Sequence, residues 1–322
     1  MRAPARLITA TAAAALLIGC VSGPAASDSD SARPDGDRKK AGERVLVFSK
    51  TAGFRHDSIP DGIAAVKDLG AAHGFTVDAT ENAGAFTTKN LARYDAVIWL
   101  STTGDVLNGK QQSAFERYIR AGGGYVGVHA AADTEYDWPF YGRLAGAYFQ
   151  SHPAIQPAKI KVEDHAHPAT AHLGAVWDRT DEWYNYRANP RDRARVLATL
   201  DESSYSGGTM GGDHPIAWCQ GSVDGTPGRS FYTGGGHTKE SYADPAFRGT
   251  SSAASATPSA PPRPTAVPSR ATPPSSTAPP PPSPAGSRPD PAPSSGRTTA
   301  PSPPSAAWAC SGTNPSSSAR TP

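Results

Sequence analysis

His129 lies within the run GGGYVGVHAAADT, residues 122–134, in which an apolar strand runs into a tight turn of small residues. Enzymes built on a strand-to-helix elbow place Ser or Cys at that turn, but no G-x-S-x-G occurs in this chain. Cys219 sits inside an apolar run, PIAWCQ, and reads as packing. Acyl-enzyme chemistry is therefore disfavoured, and imidazole chemistry remains. A histidine at a strand end serves as a general base or as a metal ligand. As a base, His129 would work with Asp133 or Glu182 on a carbonyl or an α-proton. As a ligand, it would join His56, His237 and Glu182 around Zn²⁺ or another divalent ion, leaving one position open for water. No H-E-x-x-H spacing supports the metal locally, and binding through hydrogen bonds alone is the third reading.

The other candidates belong to the same kind of segment. His56 ends KTAGFRH and Asp105 ends STTGD, while Glu182 is followed by Trp183 and Tyr184. Aromatic rings beside a carboxylate suit stacking on a sugar ring, and suit a core equally well. His237 follows three glycines, which let a backbone approach a ligand closely. Each has a plainer reading. His56 would adjoin a helix cap formed by Asp57 or Ser58, and His129 would bond a nearby carbonyl. His214-Pro215 would form a turn entering a strand, and His165, His167 and His172 would lie on a surface loop despite their ligand-like spacing.

For these groups to meet, strand ends must converge. Residues 44–48, 75–79, 94–100 and 125–128 read as strands, with helices over about 61–73 and 107–121 between them. That alternation predicts an α/β fold with a doubly wound, mostly parallel sheet and helices on both faces. The second half is strand-rich, at 159–163, 182–186, 195–200, 215–220 and 229–233. These strands are expected to extend the sheet antiparallel and to wall a cleft. In such sheets ligands bind beyond the carboxyl ends of the strands, where all the polar candidates fall.

The foldable part spans residues 44–249, one large domain that contains all nine histidines. Net charge is +2 from 31 basic and 29 acidic residues, and no basic stripe with interleaved aromatics exists, so nucleic acid is not an expected partner. Within 44–249 Cys219 is the only cysteine, which leaves no disulfide internal to that span. Arg2 and Arg6 precede an apolar run from Leu7 to Ile18 that is too short to span a bilayer. It ends Leu17-Ile18-Gly19-Cys20, which resembles a lipobox. The expectation is a signal peptide over 1–20, lipidation of Cys20, a flexible tether over 21–43 and anchoring at the outer membrane face. Residues 251–322 hold 20 of the 32 prolines and read as disordered. The change at Gly249 is abrupt. One alternative reading frame can decode TSSAASAT as HLLGGIRYA, an amphipathic helix, and AAWACSGT as GMGLLWY. The 250–322 tail is therefore read as out of frame, against the alternative of a genuine Pro-rich linker.

KTAGFRHDSIP, WLSTTGDVL, GGGYVGVHAAADT, DEWY, HPIAW and TGGGHT, in that order over residues 44–249, resemble the ThuA (trehalose utilisation) family. The resemblance implies a fold like that of class I glutamine amidotransferases without their Cys-His-Glu machinery. It also implies a carbohydrate partner, with an oxidised (keto) disaccharide as one form. The shifted-frame string GMGLLWY resembles the start of a 3-keto-disaccharide hydrolase domain, which strengthens the carbohydrate theme by association. Two rivals stay open: a non-catalytic sugar-binding module serving an attached hydrolase, and a truncated inactive product.

Overall fold

The computed structural model describes residues 42–255. The expected signal peptide, Cys20, almost all of the tether and the tail from 256 onward lie outside the described residues.

Five largely buried runs form the centre of one nine-stranded sheet. They are β1 (Arg44–Phe48), β3 (Ala96–Leu100), β4 (Gly124–Val128), β10 (His214–Gln220) and β11 (Arg229–Thr233), buried along almost their whole length. Burial on both faces is what such continuous runs require. β2 (Thr76–Thr80), β6 (Gln156–Val162), β7 (Val176–Asp181) and β9 (Arg195–Leu200) complete the order β2-β1-β3-β4-β11-β10-β9-β6-β7. The first five are parallel neighbours; the last four pair antiparallel. The doubly wound α/β expectation is met, with one correction. β11 was expected among the antiparallel additions, but it pairs parallel with β4 and turns antiparallel only toward β10. A small antiparallel pair, β5 (Phe149–Ser151) and β8 (Asn185–Tyr186), stands apart from this sheet.

The helices start and stop where local chemistry dictates. α1 (Ile59–His73) carries Pro60 in its first turn and ends on Gly74, whose φ of 79° takes the left-handed cap. α2 (Thr88–Leu91) is a single turn capped by Thr87. α3 (Gly109–Arg120) opens on a capping box between Asn108 and Gln111. α4 (Pro139–Ala145) and α5 (Lys239–Ala243) are short, and α6 runs Pro245–Ser255. After His129 the chain makes only a short 3₁₀ turn, His129–Ala132, and α4 begins seven residues later. The strand expected over 182–186 shrinks to Asn185–Tyr186, because β7 ends at Asp181 and Glu182–Tyr184 turn inward as a buried segment.

Cys219 is fully buried in β10, with no exposed face from which to act as a nucleophile. His167, expected on the surface, is buried instead. Its ring lies nearly parallel to Phe231, and its Nδ1 accepts a hydrogen bond from the Ala169 amide. His165 and His172 are exposed, as expected. No helix among the described residues is long and apolar enough to cross a membrane.

Candidate functional site

Four strand ends meet in a single cluster. His56 follows β1, His129 follows β4, His237 follows β11 through the glycine loop, and Glu182 follows β7. One ligand atom from each lies within 4.8 Å of every other. The three imidazoles pack edge to face, with centroids 4.9 Å apart for His56–His129 and His56–His237 and 5.1 Å for His129–His237.

His129 occupies an elbow in the backbone sense. Its φ of 50° is left-handed, an uncommon conformation for a residue with a Cβ. Such strain persists only where the surroundings over-determine it. Here the Tyr232 hydroxyl donates to the His129 carbonyl at 2.8 Å, and the fully buried ring places Nδ1 2.9 Å from the Gly234 carbonyl. A carbonyl only accepts, so Nδ1 carries the proton and Nε2 presents its lone pair to the cluster. Nε2 is 3.1 Å from His237 Nδ1 and 3.4 Å from Glu182 Oε2, and His237 Nδ1 is 3.0 Å from the same oxygen.

These spacings suit one shared cation. A first-row divalent ion about 2.0–2.1 Å from each ligand sets neighbouring donors roughly 2.9–3.4 Å apart. His56 adds a fourth donor. Its ring is 4 % exposed and its Nδ1 is buried without a hydrogen-bond partner, a state that buried polar atoms seldom keep. Three imidazoles with one carboxylate form a donor set for zinc or a similar transition ion rather than for calcium or magnesium.

The electrostatics point the same way. Burial opposes ionisation of Glu182, but the hydrogen bonds and charge of His129 and His237 overcome it and bring its pKa down to about 2. Burial, followed by the neighbouring His129 and His237, lowers His56 to about 3, so its imidazole stays neutral. For His237 burial works downward, and the Glu182 carboxylate outweighs it and raises the pKa.

Asp181, a residue the sequence did not single out, holds this arrangement. It is fully buried. Its Oδ2 accepts from the Gly236 amide, Ser241 and Arg179, and its Oδ1 accepts from the amides of His237 and Glu182. The carboxylate thus orients two cluster members through their backbones. The glycines before His237 serve the same packing. A Cβ on Gly234 would come within 2.4 Å of Ile216 and Tyr186, and Gly236 has a φ of +109°. The close approach expected toward a ligand is an approach toward the protein itself.

His152 was also missed. Its Nδ1 lies 2.9 Å from Glu182 Oε1, so Glu182 faces the cluster with one oxygen and the partly exposed His152 with the other. No sequence signature marks His152. Asp181 had a signal in retrospect, the paired acids of DEWY.

Other expected residues fall outside the cluster. Trp183, expected to stack on ligand, is fully buried with its indole N–H on the Gln156 carbonyl, because alternation puts it on the core face. Tyr184 lies against His129, with ring centroids 4.3 Å apart, and is itself covered by Phe149. Asp133 accepts from Tyr136 at 2.6 Å rather than joining the four ligands, and burial raises its pKa despite that bond. Asp105 is exposed and sits in the field of Glu135. Ser58 holds the cap position of α1 but makes no cap bond; its hydroxyl donates to the Gly236 carbonyl, tying α1 to the glycine loop.

The sequence matches the family described as ThuA, trehalose utilisation, over residues 44–255. A search of curated proteins returns no match. Among solved structures, a ThuA-like protein from Bacteroides uniformis superposes with a TM-score of 0.56 at 25% identity, covering 66% of this chain and 89% of that one. A ThuA-like protein from Parabacteroides merdae superposes with a TM-score of 0.52 at 19% identity, covering 66% and 90%.

Proposed function

Because the chain belongs to the ThuA (trehalose utilisation) family, we propose that its three-histidine, one-glutamate cluster holds a divalent transition-metal ion and receives an oxidised carbohydrate beside it. The observation that carries this reading is the convergence of four donors within 4.8 Å, from four separate segments. Bound there, such an ion would polarise a sugar carbonyl or acidify a water. The chain's own residues do the rest. Gly234 fixes the His129 tautomer, Asp181 fixes His237 and Glu182, and burial keeps His56 neutral and ready to ligate. Asp133 is half-buried within the electrostatic reach of His129, and its raised pKa suits it to exchange a proton with the sugar. The Leu17-Ile18-Gly19-Cys20 motif supports an exported, membrane-tethered location.

Elemental mass spectrometry of the purified protein tests the centre. We expect near one equivalent of zinc or a related metal in the wild type and its loss in His129→Ala/His237→Ala. A folded, metal-free wild type that resists reloading would sink the metal reading. Turnover lost in His129→Ala while sugar binding survives would mark catalysis, whereas parallel loss of both would mark a binding module.

A further inference from the structure

We infer that Phe54 is a stacking platform for a pyranose ring and sets the preference of this site for ring sugars over open-chain polyols. The inference rests on the carbohydrate reading above and adds to it the surface that would meet the apolar face of the sugar.

Phe54 is 67% exposed, the one exposed Phe, Tyr or Trp among the described residues. A single exposed apolar side chain is ordinary in itself; its position is not. The ring meets His56 edge to face, with centroids 4.9 Å apart, two residues before a member of the cluster. The aromatic faces expected to stack are otherwise committed, Trp183 to the core and Tyr184 to His129 and Phe149.

The segment that carries Phe54 is tied down. Thr103 Oγ1 donates to the Phe54 carbonyl at 2.8 Å and accepts from the Gly53 amide, and the Ala52 amide donates to the Thr103 carbonyl at 2.7 Å. Thr51 and Thr103 form a parallel bridge. Gly104, at φ +69°, brings its backbone so close that an added Cβ would lie 3.2 Å from Ala52. Phe54 is thus held exposed by a rigid loop, and a preorganised aromatic loses little freedom on binding.

A pyranose has one face of C–H bonds and a rim of oxygens. The histidine–glutamate centre suits the oxygens, and an aromatic face suits the C–H side. An open-chain hydroxyketone offers the oxygens without a ring face of C–H bonds.

The test is calorimetric titration of the metal-loaded, full-length protein with 3-ketotrehalose and with dihydroxyacetone, using wild type, Phe54→Ala and Phe54→Tyr. Metal content of each variant reports whether His56 has moved. We expect Phe54→Ala to keep its metal, to weaken 3-ketotrehalose binding about tenfold and to leave dihydroxyacetone unchanged. Phe54→Tyr should bind both like wild type. Unchanged 3-ketotrehalose affinity in Phe54→Ala overturns the platform and leaves the carbohydrate reading standing, and so does an equal loss of both probes. A metal-loaded wild type that binds neither probe overturns the carbohydrate reading and the platform with it.

Discussion

A carboxylate without access to solvent must satisfy its lone pairs inside the protein, and Asp181 does so with five donors from four other residues and its own neighbour's amide. Replacing it by Asn turns one acceptor oxygen into a donor that faces N–H or O–H groups already pointing at it. The neutral amide also gives up the charge that pairs with buried Arg179. Leaving such groups unsatisfied costs about 1–3 kcal/mol. We expect Asp181→Asn to lower the stability of the metal-free protein by that amount and to weaken metal affinity by roughly 10–100-fold, as loss of an outer-shell partner does. Ser241→Ala, which removes one donor to the same oxygen, should leave metal affinity near wild type. Equal metal affinity in Asp181→Asn and wild type would show that His237 and Glu182 are placed by other contacts.

At the scale of elements, burial of a titratable ring couples a turn to pH. His167 caps the turn into Ala169 beneath β11. Burial lowers its pKa to about 4, against a weaker opposing pull from Asp164. A histidine whose folded pKa lies below its unfolded value near 6.5 stabilises the fold fully above pH 6.5. That contribution is lost as pH falls from 6.5 toward 4, by roughly 3 kcal/mol at most. His167→Asn keeps an acceptor for the Ala169 amide without a proton to gain. Chemical denaturation from pH 7 to 4 should therefore fall less steeply in His167→Asn than in wild type, and identical slopes would refute the assignment. The sequence made some of this architecture plain and hid the rest. β1, β3 and β4 were legible because strands buried on both faces read as unbroken apolar runs, and β9 and β11 were placed to the residue. The four cluster members were named in advance because each ends a recognisable strand or motif. Asp181 and His152 were not, since each acts through a neighbour met only in three dimensions. Trp183 misled because residues alternate across a segment, and only packing shows which side faces the core.

For the whole molecule, the question is where the domain ends. α6 continues through the abrupt change in composition at Gly249 and runs to Ser255. Its first turns are well anchored. Phe247 is 1% exposed against Tyr242, with Arg179 over its ring, and His172 Nε2 lies 2.8 Å from the Ala246 carbonyl. Beneath it, Leu69, Ile98, Leu100, Val126, Val128 and Phe247 line an apolar void of about 20 Å³ between the sheet, α1 and α6. A helix that continued with apolar residues could cover that side of the sheet, whereas TSSAASAT offers none larger than Ala. The out-of-frame reading of the tail therefore makes a quantitative prediction. Exchanging residues 250–258 for HLLGGIRYA should bury two or three more large side chains, each contributing about 1.5–3 kcal/mol if fully covered. For a domain near 200 residues the melting temperature should then rise by several degrees, about 2–4 °C for each kcal/mol gained. A thermal melt of the exchanged and original full-length chains decides the matter. No rise would mean that the helix ends in solvent as it stands, and that the proline-rich segment is the natural continuation of this domain.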